Sequence, residues 1–162
     1  MKPDIKIKEI SEQPTITIRE NATMASIPVR IGKIYSEIIT FMSKKGIAPA
    51  GAPFAYWHNM NSESMNKGLF DMECGFPVGA PVEGEGQIKA SKLPGGKVAT
   101  AMHIGPYETL VETYEAMQSW TKEKGYQVED DMWEAYLTNP CEVPDKSKWM
   151  TEIFLPIKQS KT

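Results

Sequence analysis

IGKIYSEIITFMSKKGIAP, residues 31–49, and GPYETLVETYEAMQSWTKEKG, residues 105–125, are two versions of one device, and their kinship decides the fold. In the first, Ile31, Ile34, Tyr35, Ile38, Phe41 and Met42 recur at helical spacing, with Lys44, Lys45 and Gly46 closing the C-terminus. In the second, Pro106 opens the first turn, with Glu108 and Glu112 early, Lys122 and Lys124 late, then Gly125. Leu110, Tyr114, Met117 and Thr121 form its expected buried stripe.

Sliding one half on the other by 79 residues aligns Tyr35 with Tyr114, Phe41 with Trp120, Phe54 with Trp133, Trp57 with Tyr136 and Phe70 with Trp149. Glu73 and Pro77 fall on Glu152 and Pro156. Aromatic landing on aromatic at so many positions points to a duplication, with repeats of about 1–80 and 88–162 in a single domain, 1–162. Each half reads as strand, helix, strand, strand. The first gives TITIRE continuing to MASIPV, a helix over 30–45, PFAYWHN and LFDMECGFPV. The second gives GGKVATAMHI, a helix over 106–124, DDMWEAYL and WMTEIFLPI. NMNSESMNKG and TNPCEVPDKSK serve as hairpin connections, and GAPVEGEGQIKASKLPGG as a crossover without periodicity. The expected fold is α+β: tandem βαββ modules in a pseudo-twofold antiparallel sheet, one helix from each half, with a ligand groove between halves.

The composition fits such a domain. Of 162 residues, 41% are hydrophobic and 24% charged, and the net charge of −3 gives no general attraction to nucleic acid or anionic membrane. Two halves use nearly the whole chain, which leaves no room for a sequence-specific DNA-binding module. No apolar run is long enough to span a membrane, and MKPDIKIKEI lacks the apolar core of a signal peptide, so a cytoplasmic location is expected. Cys74 and Cys141 are too few for a disulfide framework or a zinc site. Ten methionines add soft, adaptable packing, as core filling or as a promiscuous binding surface.

WEAYL, residues 133–137, carries the chemistry. On a strand Glu134 and Tyr136 share one face, Trp133 and Ala135 the other. At the repeat offset Glu134 meets Ala55 and Tyr136 meets Trp57, so one half would supply a carboxylate to the groove where the other leaves space. A carboxylate among aromatic faces suits an organic cation, and also a general acid or base. The plain alternative is a solvated edge-strand glutamate after the acidic run Glu129-Asp130-Asp131. Glu73 and Glu152 read as exposed positions in their terminal strands. His103 and His58 read as structural, without metal-ligand spacing around them, and no metal or cofactor is expected. Leu93-Pro94-Gly95-Gly96-Lys97 lacks the P-loop pattern and reads as a turn. No serine or cysteine lies in a nucleophile motif.

LPGGKVATAMHIGPYETL, a helix ending WTKEKG, then WEAY and TEIFLPI, in this order and spacing, resemble the GyrI-like effector-binding family. The resemblance spans nearly the whole chain and is most specific over residues 93–157. That family includes ligand domains of AraC- and MerR-type multidrug-responsive transcription regulators and the stand-alone gyrase-inhibitory protein. It implies tandem βαββ modules and a small-molecule site whose acidic residue, which meets lipophilic cations in drug-binding members, maps onto Glu134. Tyr136 takes the accompanying aromatic position, Tyr107 of HIGPY and Trp57 are further candidates, and Ala55 and Trp149 complete the set.

Three functions follow as expectations. The first is a stand-alone binder of bulky hydrophobic, often cationic, compounds. The second is a hydrolase of strained electrophilic natural products, with Glu134 as general base and Tyr136 or Tyr107 as proton donor. The third is a gyrase-inhibitor-like contact with a protein partner.

Overall fold

The computed structural model describes residues 4–60, 67–138 and 142–159. The architecture is α+β, with antiparallel strands and, among the described residues, two long α-helices, and it divides into two compact units: Ser11–Gly95, and Met1–Ile10 together with Gly96–Thr162.

In Ser11–Gly95 the elements are β2 (Gln13–Thr23), α1 (Ile27–Lys45), β3 (Phe54–His58), β4 (Leu69–Pro77) and β5 (Lys89–Leu93), the first strand, Ile5–Ile10 (β1), belonging to the other unit. Strand order is β3-β4-β2-β5. Helix α1 buries Ile34, Ile38, Phe41 and Met42, as its spacing predicts, on the sheet face carrying Ile16, Ile18, Met72, Cys74 and Phe76. Gly46, at φ 70°, ends it in the left-handed conformation that favours glycine, with its N–H returned to the last turn. Gly75 is required by close approach: a Cβ there would lie 1.9 Å from the Ile16 carbonyl oxygen.

Two readings change here. MASIPV is not a strand: β2 stops at Thr23, the chain turns with mutual Thr23–Ser26 hydrogen bonds, and α1 begins at Ile27. Pro28, whose fixed φ suits a first helical turn, lies at that start. The crossover contains β5, which has polar side chains on both faces and is held by backbone pairing to β2.

The second unit comprises β1 (Ile5–Ile10), β6 (Gly96–Ile104), a 3₁₀ turn (Tyr107–Thr109), α2 (Leu110–Glu123), β7 (Tyr126–Val128), β8 (Met132–Tyr136) and β9 (Met150–Gln159). Strand order is β1-β6-β9-β8, with β7 beside the far end of β9. The N-terminal strand thus pairs with β6, with Ile5 and Ile7 inward and Lys6 and Lys8 outward. Ala99 and Ala101 keep the sheet surface low, so that Met117 of α2 packs onto Ile153 and Leu155. Thr113, Met117 and Thr121 are buried, and Leu110 and Tyr114 pack beside that core.

Cys74 is buried, while Cys141 lies outside the described residues, as do parts of both long hairpin connections. Among the described residues no helix is long and apolar enough to cross a membrane.

Candidate functional site

Strand β8 places Glu134 and Tyr136 on the same face, the one covered by α2, because Glu134 lies opposite Ile153 of the core. Glu134 is only 7% exposed, so the solvated edge-strand alternative does not hold. Tyr136 donates its hydroxyl to Glu134 Oε1 at 2.7 Å, and Tyr114, reaching down from α2, donates to Oε2. A buried carboxylate is costly unless hydrogen-bonded, and these phenols serve both its oxygens.

Aromatic rings continue outward from this pair. Tyr107 meets Tyr136 edge-on at 5.7 Å between centroids and tilts against Trp149 at 4.9 Å. Trp149 is anchored by its indole N–H on the Val143 carbonyl at 2.6 Å, and the Lys146 ammonium lies 5.9 Å from its ring centre. The turn that presents Tyr107 is fixed by the Gly105 N–H on the Trp149 carbonyl. Tyr107 is 37% exposed and forms the outer member of the aromatic layer.

Burial raises the Tyr114 phenol well above its ordinary pKa, and the Glu134 charge and hydrogen bond push the same way. Burial, then the Glu134 charge, also raises Tyr107. Both phenols therefore stay protonated as donors at neutral pH.

Glu134, Tyr136, Tyr107 and Trp149 are thus brought together in one unit. Ala55 and Trp57 lie in β3 of the other: Ala55 is fully buried opposite Cys74, and Trp57 is buried edge-on to Phe70 at 6.5 Å. Sequence reasoning placed Tyr114 in the helix stripe as packing and missed its role as a donor. Its repeat counterpart was the available signal. Tyr35 donates across to β3 as well, but to the Phe54 carbonyl at 2.8 Å, since Ala55 stands where the other half has Glu134.

A test separates the two tyrosines. Tyr114→Phe should cost about 1.5–3 kcal/mol of stability, the range for bonds to charged groups, against about 0.5–1.5 kcal/mol for Tyr35→Phe. Urea unfolding at pH 7 reads both. Equal costs would mean that the Glu134 bond is no stronger than a neutral one.

His103 is structural, as expected: Nδ1 is 2.7 Å from Thr113 Oγ1, and Nε2 lies near Thr109 Oγ1 and the Pro106 carbonyl. Glu73 corrects its reading, and His58 is its hydrogen-bond partner. Glu73 is not exposed; it sits in a network with His58 Nε2 at 2.8 Å and the Thr17 hydroxyl at 2.7 Å, on the face of its sheet away from α1. Glu152 is likewise partly buried, 3.6 Å from Lys8. In Ser11–Gly95 an open cleft of about 510 Å³ is lined by Phe41, Ile47, Val82 and the charged Lys45, Glu83 and Glu85. Those three charged residues are exposed, unlike Glu134. Among the described residues no cluster of three or more His, Cys, Asp or Glu side chains could hold a metal.

Comparison with known proteins agrees with this architecture. The C-terminal domain of EcmrR superposes with a TM-score of 0.84 at 23% identity, covering 98% of this chain and 99% of that one. A hydrolase from Listeria innocua gives 0.70 at 13% identity, over 97% and 93%. SAV2435 bound to tetraphenylphosphonium gives 0.68 at 12% identity, over 96% and 94%. No curated protein matches the sequence. The model of the GyrI-like small molecule binding domain matches residues 3–158, nearly the whole chain, and the protein belongs to that family.

Proposed function

We propose that this small-molecule binding domain takes bulky lipophilic cations, with Glu134 as the counter-charge and Tyr107, Tyr136 and Trp149 as the aromatic wall. The observation that carries this is a buried carboxylate that accepts hydrogen bonds from the phenols of Tyr114 and Tyr136. The phenols hold the Glu134 carboxylate in a partly desolvated, aromatic setting, where a ligand's positive charge would meet it. Each ring face adds about 0.5–2 kcal/mol of cation attraction. A protein of similar fold holding tetraphenylphosphonium supports the ligand class. The test is a tryptophan-fluorescence titration with tetraphenylphosphonium, on wild type and on Glu134→Gln. Failure of wild type to bind would reject the reading.

The phenol–carboxylate geometry also favours a second reading, hydrolysis of a strained ring, and a hydrolase shares the fold. In that reaction Glu134 takes a proton from water as the oxygen bonds a ring carbon and the ring C–C bond breaks. Tyr136 gives its proton to the departing electron pair, and the proton on Glu134 returns to Tyr136 along their hydrogen bond. Incubation with a cyclopropane-bearing electrophile should give a product heavier by one water in wild type and none with Glu134→Gln. A substrate left intact by wild type would remove the catalytic reading and leave binding.

A further inference from the structure

Thr151 of β9 is fully buried, and its hydroxyl has no hydrogen-bond partner, a condition shared among the described residues by Thr15 alone. Buried hydroxyls are rarely left so, because the lost hydration is not recovered. Thr151 lies opposite Tyr136 on one side and opposite His103 on the other. Ile153, two residues along, lies opposite Glu134, so Thr151 shares the Glu134 face of the sheet. Its flanking groups are committed elsewhere. The His103 nitrogens face Thr113, Thr109 and the Pro106 carbonyl, and the Tyr136 hydroxyl donates to Glu134.

We propose that the Thr151 hydroxyl is the second polar contact of the Glu134 site and takes a hydroxyl group carried by the ligand. This rests on the binding reading given above and adds a selectivity to it: an aromatic cation with a phenolic hydroxyl is preferred over its hydrocarbon counterpart. The spacing is defined by the strands. Glu134 and Thr151 are diagonal neighbours across β8 and β9, which sets their Cα atoms about 7–8 Å apart. A charge and a hydroxyl separated by roughly one ring fit that span. Tyr107 is the exposed member of the aromatic layer and contacts both Tyr136 and Trp149.

Two probe pairs test this on wild type, Thr151→Val and Glu134→Gln: tetraphenylphosphonium with its mono(4-hydroxyphenyl) analogue, and biphenyl with 4-phenylphenol. Wild type should favour the hydroxylated member of each pair by about fivefold or more. Thr151→Val, close to isosteric, should fold at least as stably and bring both ratios to about one. Thr151→Ala, which removes the hydroxyl without added bulk, gives the same reading should the valine variant not fold. Absence of the preference in wild type, or its survival in both variants, overturns the assignment. The neutral pair keeps the two ideas apart. A Thr151-dependent preference for 4-phenylphenol without any cation binding would reject the cation reading and leave Thr151 in its role.

Discussion

Glu134→Gln should weaken binding of tetraphenylphosphonium by about 1–3 kcal/mol, or roughly five- to 150-fold, and leave neutral triphenylmethane nearly unaffected. The range follows from a charge pair at about 4 Å and an effective dielectric near 20, at most about 4 kcal/mol before the desolvation of both partners is subtracted. Glutamine keeps the side-chain shape and one acceptor oxygen for a phenol, so the substitution removes charge more than packing. The same variant has a readout that needs no ligand. The Glu134 charge is part of what raises Tyr107 and Tyr114, so their phenols should ionise at lower pH in the variant, seen by ultraviolet titration. Equal losses for cation and neutral probe would mean that glutamine had disturbed the aromatic wall, and charge pairing would then not be the basis of binding. Unchanged tyrosine titration would argue that Glu134 is not ionised beside them.

How far the site could be read in advance depends on the kind of contact involved. Glu134 and Tyr136 are two residues apart on a strand, so their common face follows from strand geometry alone. Helices α1 and α2 were legible because their apolar stripes repeat every three or four residues over many turns. Tyr114 shows the limit: a helix stripe marks which residues point inward, and cannot separate a ring that packs from one whose hydroxyl binds a carboxylate. Thr151 is harder still, since a threonine inside an apolar strand reads as ordinary β-branched packing. The strand β5 escaped because KASKL has no apolar alternation, and its place comes from backbone bonds to β2. MASIPV is ambiguous because short apolar runs fit strand and helix equally, and Pro28 in the first turn of α1 is the mark of a helix start. Glu73 looked solvated since alternation within β4 marks a polar face, but says nothing of what Thr17, 56 residues away, brings to it.

That network carries the second large effect, on acid stability. Burial pushes the Glu73 carboxyl up, yet hydrogen bonds from His58, Ser91 and Thr17 and the charge of His58 outweigh it and hold the pKa at about 2, against an ordinary 4.5. At about 1.4 kcal/mol per pKa unit, the depressed value is worth about 3 kcal/mol of folding stability. A carboxyl whose folded pKa lies below its unfolded one contributes in full above about pH 4.5. The contribution drains away as pH falls toward 2, where both states are protonated. Asp71, held low chiefly by its hydrogen bond from Arg19, loses stabilisation in the same direction, so wild type alone would not isolate Glu73. The difference between wild type and Glu73→Gln does. In urea unfolding at pH 5 the variant should be less stable by up to about 3 kcal/mol, with the gap closing progressively between pH 4.5 and 2, the Asp71 contribution being common to both proteins apart from the upward push that the Glu73 charge gives it. A gap that stays constant with pH would show that glutamine costs packing or hydrogen bonds alone, and that the network does not hold Glu73 as a stabilised anion.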